Sequence, residues 1–250
     1  MILGGKDRQS GSDAVLKQLA PTGVLRAAVN YNNPLLARRD SGGALSGLAV
    51  DLSLELAQRL GVPLKLIPCE AASRISGSAT CDVWDVGFLA IDPLRANQMV
   101  FTAAYIELEG TYLVPAGSRL HAIADVDSSG IRIAVTAASA YDLFLSRELK
   151  HAKLVRAQNT PTSFELLLQD KLEAVAAVRT ALVTQSKRMP GSRVLGGHFM
   201  TIPQAAAVSK GRPAAARFVT EFIEEMKITG FVARALSKHG LGRDDAIVAR

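Results

Sequence analysis

The sequence predicts an α/β protein built from mostly parallel sheets flanked by helices. Three observations support this fold class. Short apolar runs alternate with segments of helical periodicity along nearly the whole chain, no repeat or low-complexity segment interrupts them, and 250 residues suffice for a sizeable core. A hydrophobic content of 48% beside 21% charged residues is ordinary for a globular protein.

The first predicted elements are a strand, a helix and two further strands. "VLRAAVN" (24–30) predicts the first strand, and leucines at every fourth residue from Leu52 to Leu60 predict a helix. We expect Asp51 to cap the start of that helix and Gly61 its end. "PLKLIP" and "DVGFLAI" then predict two strands, the second of them completely buried.

The second half continues the same alternation. "TYLVPA", "IRIAVTA" and "LEAVAAV" predict strands, and "SRVL" predicts a shorter one. Ser139 stands where it would cap a helix that carries Phe144 on its apolar side. A clean apolar stripe from Phe218 to Met226, ended by Gly230, predicts a helix that packs on the core.

Composition excludes several classes of function. The net charge of +6 is spread over scattered basic residues and only 5% of the residues are aromatic, so we expect no nucleic-acid binding. The four histidines lack the spacing of metal ligands, and no phosphate-binding loop, dinucleotide fingerprint or nucleophile elbow is present. We therefore expect no metal and no cofactor.

The cellular compartment stays open at this stage. No apolar run is long enough to span a membrane, and the first 23 residues lack the charged and apolar regions of a secretory signal. A mature or mis-started exported chain and a cytoplasmic protein both fit. Cys69 and Cys81 enclose a short loop and could form a disulfide in an oxidising compartment, or could be two unrelated thiols.

Ligands in such folds bind beyond the carboxyl ends of the parallel strands, against helix N-termini. Four predicted strand ends are therefore candidates for a site: the loop after Asn30, the turn from Asp92 to Arg95, the turn from Thr136 to Ser139, and the Val178-Arg179 pair. None of the four combines a nucleophile with a base.

These elements, in this order, resemble the amino-acid-type (family 3) extracellular solute-binding proteins of ABC importers, which have the type II periplasmic-binding-protein fold. The resemblance runs from about Gly23 to Leu241. It rests on "GVLRAAVNYNNPLLARRDSGGALSGLAVDLSLELAQRLG", "DVGFLAIDPLRANQMVFTAAY", "IRIAVTAASAYDLFL" and "FVTEFIEEMKITGFVARALSKHG".

The resemblance implies two lobes, joined by two hinge strands, that close on a small solute. Lobe 1 would be discontinuous, with residues 1–107 and 203–250, and lobe 2 would comprise residues 108–202. The chain would cross between the lobes near residues 106–109 and 199–203. The implied protein is a periplasmic monomer that delivers its solute to an ABC transporter permease.

The resemblance also gives Arg95 a role, since the family's arginine at this position binds the α-carboxylate of the solute. A guanidinium suits a carboxylate because it is planar, carries five donors and stays charged. The alternative is a solvated arginine at the start of a helix. In the same lobe, Phe88 and Ala90 stand where the family usually has small hydroxyl residues. The remaining candidates for this wall are Tyr31, Asn32, Asn33 and Asp92.

The second lobe departs further from the family pattern. Val178 stands where the family usually has an acidic residue for the α-ammonium, and Arg179 follows it. A standard α-amino acid would then need Glu107 or Glu109 as a substitute, whereas two arginines in the cleft would favour an acidic solute. Arg179 could equally lie on the lobe surface. Ala138 and Ser139 could donate backbone N–H groups and a hydroxyl to an anion, or could simply cap the helix.

The sequence thus predicts a non-catalytic receptor that binds a small, carboxylate-bearing solute by hinge closure. Two alternatives use the same fold. A cyclohexadienyl dehydratase-like enzyme would need a general acid, for which Glu107 or Glu109 is the candidate. An effector-sensing domain of the LysR type would normally stand beside a DNA-binding domain, and none is visible.

Overall fold

The computed structural model of the chain describes residues 6–242 and 245–249. Its strands, in chain order, are β1 (Leu25–Asn30), β2 (Arg38–Arg39), β3 (Leu45–Ser46), β4 (Leu64–Cys69), β5 (Val86–Ala90), β6 (Met99–Phe101), β7 (Ile106–Val114), β8 (Arg132–Thr136), β9 (Lys153–Ala157), β10 (Ala174–Val178), β11 (Arg193–Val194), β12 (Met200–Ser209) and β13 (Ile247–Val248). Its helices are α1 (Lys6–Leu19), α2 (Leu48–Leu60), α3 (Ala72–Gly77), α4 (Ala140–Glu148), α5 (Thr160–Gln169), α6 (Arg179–Ser186), α7 (Pro213–Ile228) and α8 (Phe231–Lys238).

A mixed sheet of 11 strands runs through the molecule, with its main path in the order β4-β1-β5-β12-β7-β10-β8-β9, while β2 and β3 form a separate two-stranded sheet. At one flank β1 is parallel to both β4 and β5, and at the other flank β8 is parallel to both β9 and β10. The central strands β7 and β12 are antiparallel to each other and to the flank strands beside them. The α/β class is confirmed, and the predicted parallel pairing occurs in both flanks.

The antiparallel centre has a simple cause. β7 carries the chain from the first flank to the second, and β12 carries it back, so the two strands run in opposite directions. They pair over residues 106–110 and 200–204, which include both predicted crossing segments except Phe199. The lobe boundaries themselves stay a prediction, and residues 1–5, 243–244 and 250 of that division lie outside the described residues.

The helices bury their predicted apolar faces against this sheet. In α2 the side chains of Leu48, Leu52 and Leu56 are fully buried. Gly61 ends the helix as predicted, with a φ of 66° that a residue without Cβ adopts at no steric cost. The stripe predicted from Phe218 onwards lies on α7, whose inner face buries four side chains of that stripe: Val219, Phe222, Ile223 and Met226.

The prediction that Asp51 caps α2 is wrong. The helix begins at Leu48, after Gly47, so Asp51 lies within the first turn and makes no cap. Its carboxylate instead accepts from the Lys238 ammonium at 3.0 Å and lies 2.8 Å from the His239 imidazole, at the end of α8. Asp51 therefore connects α2 to α8.

Candidate functional site

A cleft lies between the two flanks of the sheet, at the carboxyl ends of its parallel strands. Its lining includes Asn30 at the end of β1 and Ala90 at the end of β5, from the first flank. Thr136 at the end of β8 and Val178 at the end of β10 line it from the second flank. These strand ends are the positions at which α/β sheets bind ligands.

Arg95 is the buried cation of this cleft. It opens a short 3-10 turn (Arg95–Asn97) and is only 4% exposed. Its Nη1 donates to the Ala90 carbonyl at 2.8 Å and its Nη2 to the Ala138 carbonyl at 2.9 Å, whereas Nε has no partner among the described residues. Burial lowers the pKa of the guanidinium to about 10, so Arg95 stays cationic at neutral pH.

The turn before Arg95 orients its side chain. The Asp92 Oδ1 accepts from the Leu94 backbone N–H at 2.9 Å, and the Asp92 carbonyl accepts from the Ala96 N–H at 3.0 Å. This Asx turn follows directly from the Asp-Pro sequence at the strand end. The Asp92 Oδ2 meets the Arg147 guanidinium of α4 at 3.2 Å. Asp92, a predicted ligand residue, thus shapes the site without lining the cleft.

The opposite wall is the turn that leads into α4. Ala138 has a left-handed φ of 52°, and its N–H donates to the Asp142 Oδ2 at 2.7 Å. Ser139 caps α4 as predicted, because its Oγ accepts from the Asp142 N–H. Ser139 also lines the cleft, whereas Ala138 contributes its carbonyl to Arg95. The turn therefore joins the second flank to Arg95 of the first.

Some polar residues of the cleft, among them Gln204, Tyr141 and Thr160, were not predicted from the sequence, whereas Thr136 belongs to a predicted turn. Gln204 of β12 lines the cleft and is 3% exposed, and its Oε1 has no partner among the described residues. Tyr141 donates to the Thr136 hydroxyl at 2.8 Å, and that hydroxyl lies 3.2 Å from the Thr160 hydroxyl. A lone Gln in the apolar stretch "IPQAAAV" was the available signal for Gln204, because a buried amide needs partners.

The loop after β1 contributes two of its three predicted residues. Asn32 and Asn33 line the cleft, and the Asn32 Nδ2 donates to the Glu70 carbonyl at 2.8 Å. Tyr31 does not line it. Its hydroxyl donates to the Glu70 Oε1 at 3.1 Å, and the Arg39 guanidinium lies 4.5 Å from the centre of its ring. Tyr31 therefore positions the neighbouring carboxylate.

Phe88 and Ala90 line the cleft, and they make this part of its wall apolar. Phe88 is fully buried and meets the Tyr105 ring edge-on, with the ring centres 6.2 Å apart. These two positions of β5 lack the hydroxyl side chains that the family usually has there, and no other side chain of β5 replaces them. Polar contacts at this wall come from Arg95 and Gln204.

Glu109 and Arg179 lie outside this cleft, contrary to the predicted ligand role. The Arg179 Nε donates to the Glu109 Oε2, and the Arg179 Nη2 donates to the Gly197 carbonyl. His198 lies 3.2 Å from the other oxygen of Glu109. The cause is strand pairing: Val178 lies opposite Gly110, so the residue after Val178 lies alongside Glu109. The predicted pair of cleft arginines is therefore reduced to Arg95.

Glu107, the other predicted substitute partner, shares a surface depression with Glu109 and Arg179 on the hinge strands. Among the described residues that line the cleft, Arg95 is the basic one and Glu70 the acidic one.

Three further findings concern the part of the chain that the structure describes. It contains no group of three His, Cys, Asp or Glu side chains arranged to hold a metal ion. None of its helices has the length and apolarity to cross a membrane. Cys69 and Cys81 are both free thiols, which answers the question left open by their spacing.

Comparison with known proteins gives one family match. The family described as bacterial extracellular solute-binding proteins, family 3, matches residues 25–242. This span includes both flanks of the sheet, the cleft and the two central strands.

Two curated relatives differ in what they do. The L-cystine-binding protein TcyJ of Escherichia coli (strain K12) is 22% identical over 247 residues, which is 98% of this chain and 92% of that protein. The cyclohexadienyl dehydratase of Pseudomonas aeruginosa is 23% identical over 179 residues, 70% of this chain and 66% of that protein.

Among solved structures, the solute receptor for L-cysteine of Neisseria gonorrhoeae superposes with a TM-score of 0.81 at 21% identity. The match covers 94% of this chain and all of that one. At this identity the likeness shows the fold, and that fold is the predicted type II periplasmic-binding-protein fold.

Proposed function

Because the chain belongs to the bacterial extracellular solute-binding proteins of family 3, we propose that it is the solute receptor of an ABC-type importer. Its ligand is a small carboxylate-bearing metabolite, bound in the cleft around Arg95. The observation that carries this proposal is the buried guanidinium of Arg95, which lines a cleft between both flanks of the sheet and whose Nε has no partner among the described residues. A buried donor without a partner is unfavourable, and a carboxylate would satisfy it.

Two neighbouring groups complete the carboxylate site. Gln204 lines the cleft from β12, next to Ala90 in the sheet register, and offers an amide to a polar group of the solute. The N-terminus of α4, at Ser139 and Ala140, also lines the cleft, where helix N–H groups favour an anion. Arg95 therefore supplies the positive charge for the carboxylate, and Gln204 and the N-terminus of α4 orient the solute.

Closure follows from contacts that cross the cleft. Residues 1–107 and 203–250 would form one lobe and residues 108–202 the other, with β7 and β12 as hinge strands. Arg95 already meets Ala138 across this division, and Arg147 meets Asp92. A solute that contacts both lobes favours the closed state by its additional contacts. We place the receptor in the periplasm as a monomer that docks on its permease.

The proposal is tested by titrating carboxylates against two arginine variants. Arg95→Ala is expected to weaken binding by about a hundred-fold or more, because the carboxylate loses its buried partner. Arg95→Lys keeps the charge but loses the planar fork, so it should recover only part of the affinity. Calorimetric titration of the purified protein measures both effects.

Arg179→Ala is the matched control, since it removes an equally large guanidinium outside the cleft. It is expected to bind like wild type. If Arg179→Ala abolished binding while Arg95→Ala did not, the site would lie in the depression around Glu109, and the proposal would be wrong.

The dehydratase relative favours one alternative, an enzyme acting on prephenate-type acids. Such an enzyme needs a general acid at its cleft, and both predicted candidates, Glu107 and Glu109, lie at the hinge strands instead. Glu70 is the carboxylate available. Incubation with prephenate, followed by chromatography for released phenylpyruvate, separates the two functions: a receptor returns the acid unchanged.

A further inference from the structure

The charges around Arg95 are unbalanced in a way that restricts the solute. Among the described residues that line the cleft, the one carboxylate is Glu70, which is exposed and accepts from the Tyr31 hydroxyl. Arg95 itself is buried and contacts two backbone carbonyls. The site thus presents one buried positive charge, and no carboxylate that lines the cleft is buried beside it.

Two buried carboxylates do lie close to this region, but other groups occupy them. Asp92 accepts from the Leu94 N–H and from Arg147. Asp142 accepts from the Ala138 N–H and pairs with Arg156 at 3.0 Å. Neither lines the cleft. Among the described residues that line the cleft, an ammonium group on the solute would therefore find one carboxylate, the exposed Glu70, and no buried one.

The other polar groups of the cleft are neutral. They include the Gln204 amide, whose Oε1 has no partner among the described residues, and the linked hydroxyls of Thr136, Tyr141 and Thr160. The amides of Asn30, Asn32 and Asn33 and the Ser139 hydroxyl line the cleft as well. The rest of the wall near β5 and β10 is apolar, with Phe88, Ala90, Val178 and Ile202 among its residues. Amides and hydroxyls bind uncharged polar groups well, whereas enclosing an ammonium without a counter-charge is costly.

We infer that the solute is a carboxylic acid without an ammonium group, such as a 2-hydroxy or 2-oxo acid. The inference rests on the proposed function and narrows its ligand class. Arg95 binds the carboxylate, and the Gln204 amide binds the neighbouring hydroxyl or oxo group. This ligand class differs from the amino acids named for the cystine-binding and cysteine-binding proteins to which the chain is similar.

The test compares matched trios of compounds that share a side chain and differ only at the α-position. Alanine, lactate and pyruvate form one trio, and phenylalanine, phenyllactate and phenylpyruvate form a larger one. In the trios that bind, the hydroxy or oxo acid is expected to bind about ten-fold or more tightly than the amino acid in calorimetric titration at neutral pH. Equal or tighter binding of the amino acid overturns the inference.

A pair of variants at Val178 tests whether the lack of a buried carboxylate in the cleft causes this preference. Val178→Asp adds a carboxylate to the cleft wall, so it is expected to weaken binding of the oxo acid and to raise binding of the amino acid about ten-fold. Val178→Asn has nearly the same shape without the charge and should not raise it. If the aspartate variant fails to fold, the wild-type trios alone decide.

Failure of the inference and failure of the proposed function give different results. If amino acids bind tightly to wild type and lose that binding in Arg95→Ala, the proposed carboxylate receptor stands. The inference that the solute has no ammonium group is then wrong. If no carboxylic acid of either trio binds, and neutral or cationic compounds bind equally well to wild type and Arg95→Ala, both proposals are overturned.

Discussion

The single residue that best shows how the cleft is built is Ala138. Its left-handed backbone conformation, unusual for a residue with a Cβ, directs its carbonyl to the Arg95 guanidinium. The Asp142 carboxylate holds the same residue through its N–H. The local strain of Ala138 thus accompanies a contact at the proposed ligand site, as is common where structure serves binding.

Ala138→Gly is expected to make the protein more stable and a weaker receptor. Glycine adopts this φ without steric cost, and after allowance for its greater freedom in the unfolded chain the free energy of unfolding should rise by about 0.5 kcal/mol. Affinity should fall several-fold, because the carbonyl that meets Arg95 becomes more mobile. Denaturant unfolding and calorimetric titration measure the two effects. Ala140→Gly, in the first turn of α4, serves as the control and should lower stability.

Sequence reasoning reached some residues of the site and missed others for identifiable reasons. Arg95 and Ser139 follow directly from strand ends and helix starts, which are local features. Gln204 was missed because its place beside Ala90 depends on antiparallel pairing of strands more than a hundred residues apart, which local periodicity does not reveal. The two alternatives for Arg179 stayed open at the sequence level because the same kind of pairing, which brings it to Glu109, is not a local feature.

At the scale of elements, the loop between β7 and β8 is attached to the loop after α4 by one carboxylate. Asp127 accepts from the backbone N–H groups of Lys150, His151 and Ala152, at 2.8 Å for the shortest bond. These bonds lower the pKa of Asp127 from its ordinary value of 3.8 to about 2. The short connection from α4 to β9 is thereby fixed.

Asp127→Asn is expected to lower stability at neutral pH and to lose its effect in acid. A carboxyl whose pKa is depressed by folding stabilises the protein above its unfolded pKa, and that contribution disappears as the pH falls from about 4 towards about 2. The urea midpoints of wild type and variant should therefore differ at pH 7 and converge near pH 2. A gap between the midpoints that persists there would contradict this account.

Apolar periodicity is sufficient to predict some helices and strands of this fold but not others. Regular apolar spacing predicted α2 and α7 correctly, because each helix buries one continuous face. The strand β9 and the helix α5 were not predicted. β9 is an outer strand with mixed exposure, and the capping box of α5, between Asn159 and Thr162, was overlooked.

At the scale of the whole molecule, the ion pair between Arg147 and Asp92 joins the two proposed lobes beside the cleft. Asp92 is 4% exposed but Arg147 is 42% exposed, so solvent screens the pair. The ion pair should therefore stabilise the closed state slightly, and closure should not depend on it.

Arg147→Ala is expected to accelerate ligand release about two- to five-fold, and the difference from wild type should shrink as ionic strength rises. Arg147→Lys keeps the charge and should release ligand nearly as slowly as wild type at low salt. Stopped-flow dissociation of a bound carboxylate measures these rates. Identical rates for all three proteins at low salt would show that this pair does not hold the cleft closed.

The central position of β12 has a consequence for the order in which the chain folds as the ribosome makes it. β12 pairs with β5, β6 and β7, so the first flank lacks its neighbour until residue 209 has been synthesised. The second flank, from β8 to β10 with its helices, is contiguous and can assemble earlier. The half of the cleft that carries Arg95 is thus begun first and completed last, and its nascent strands stay unpaired for longest.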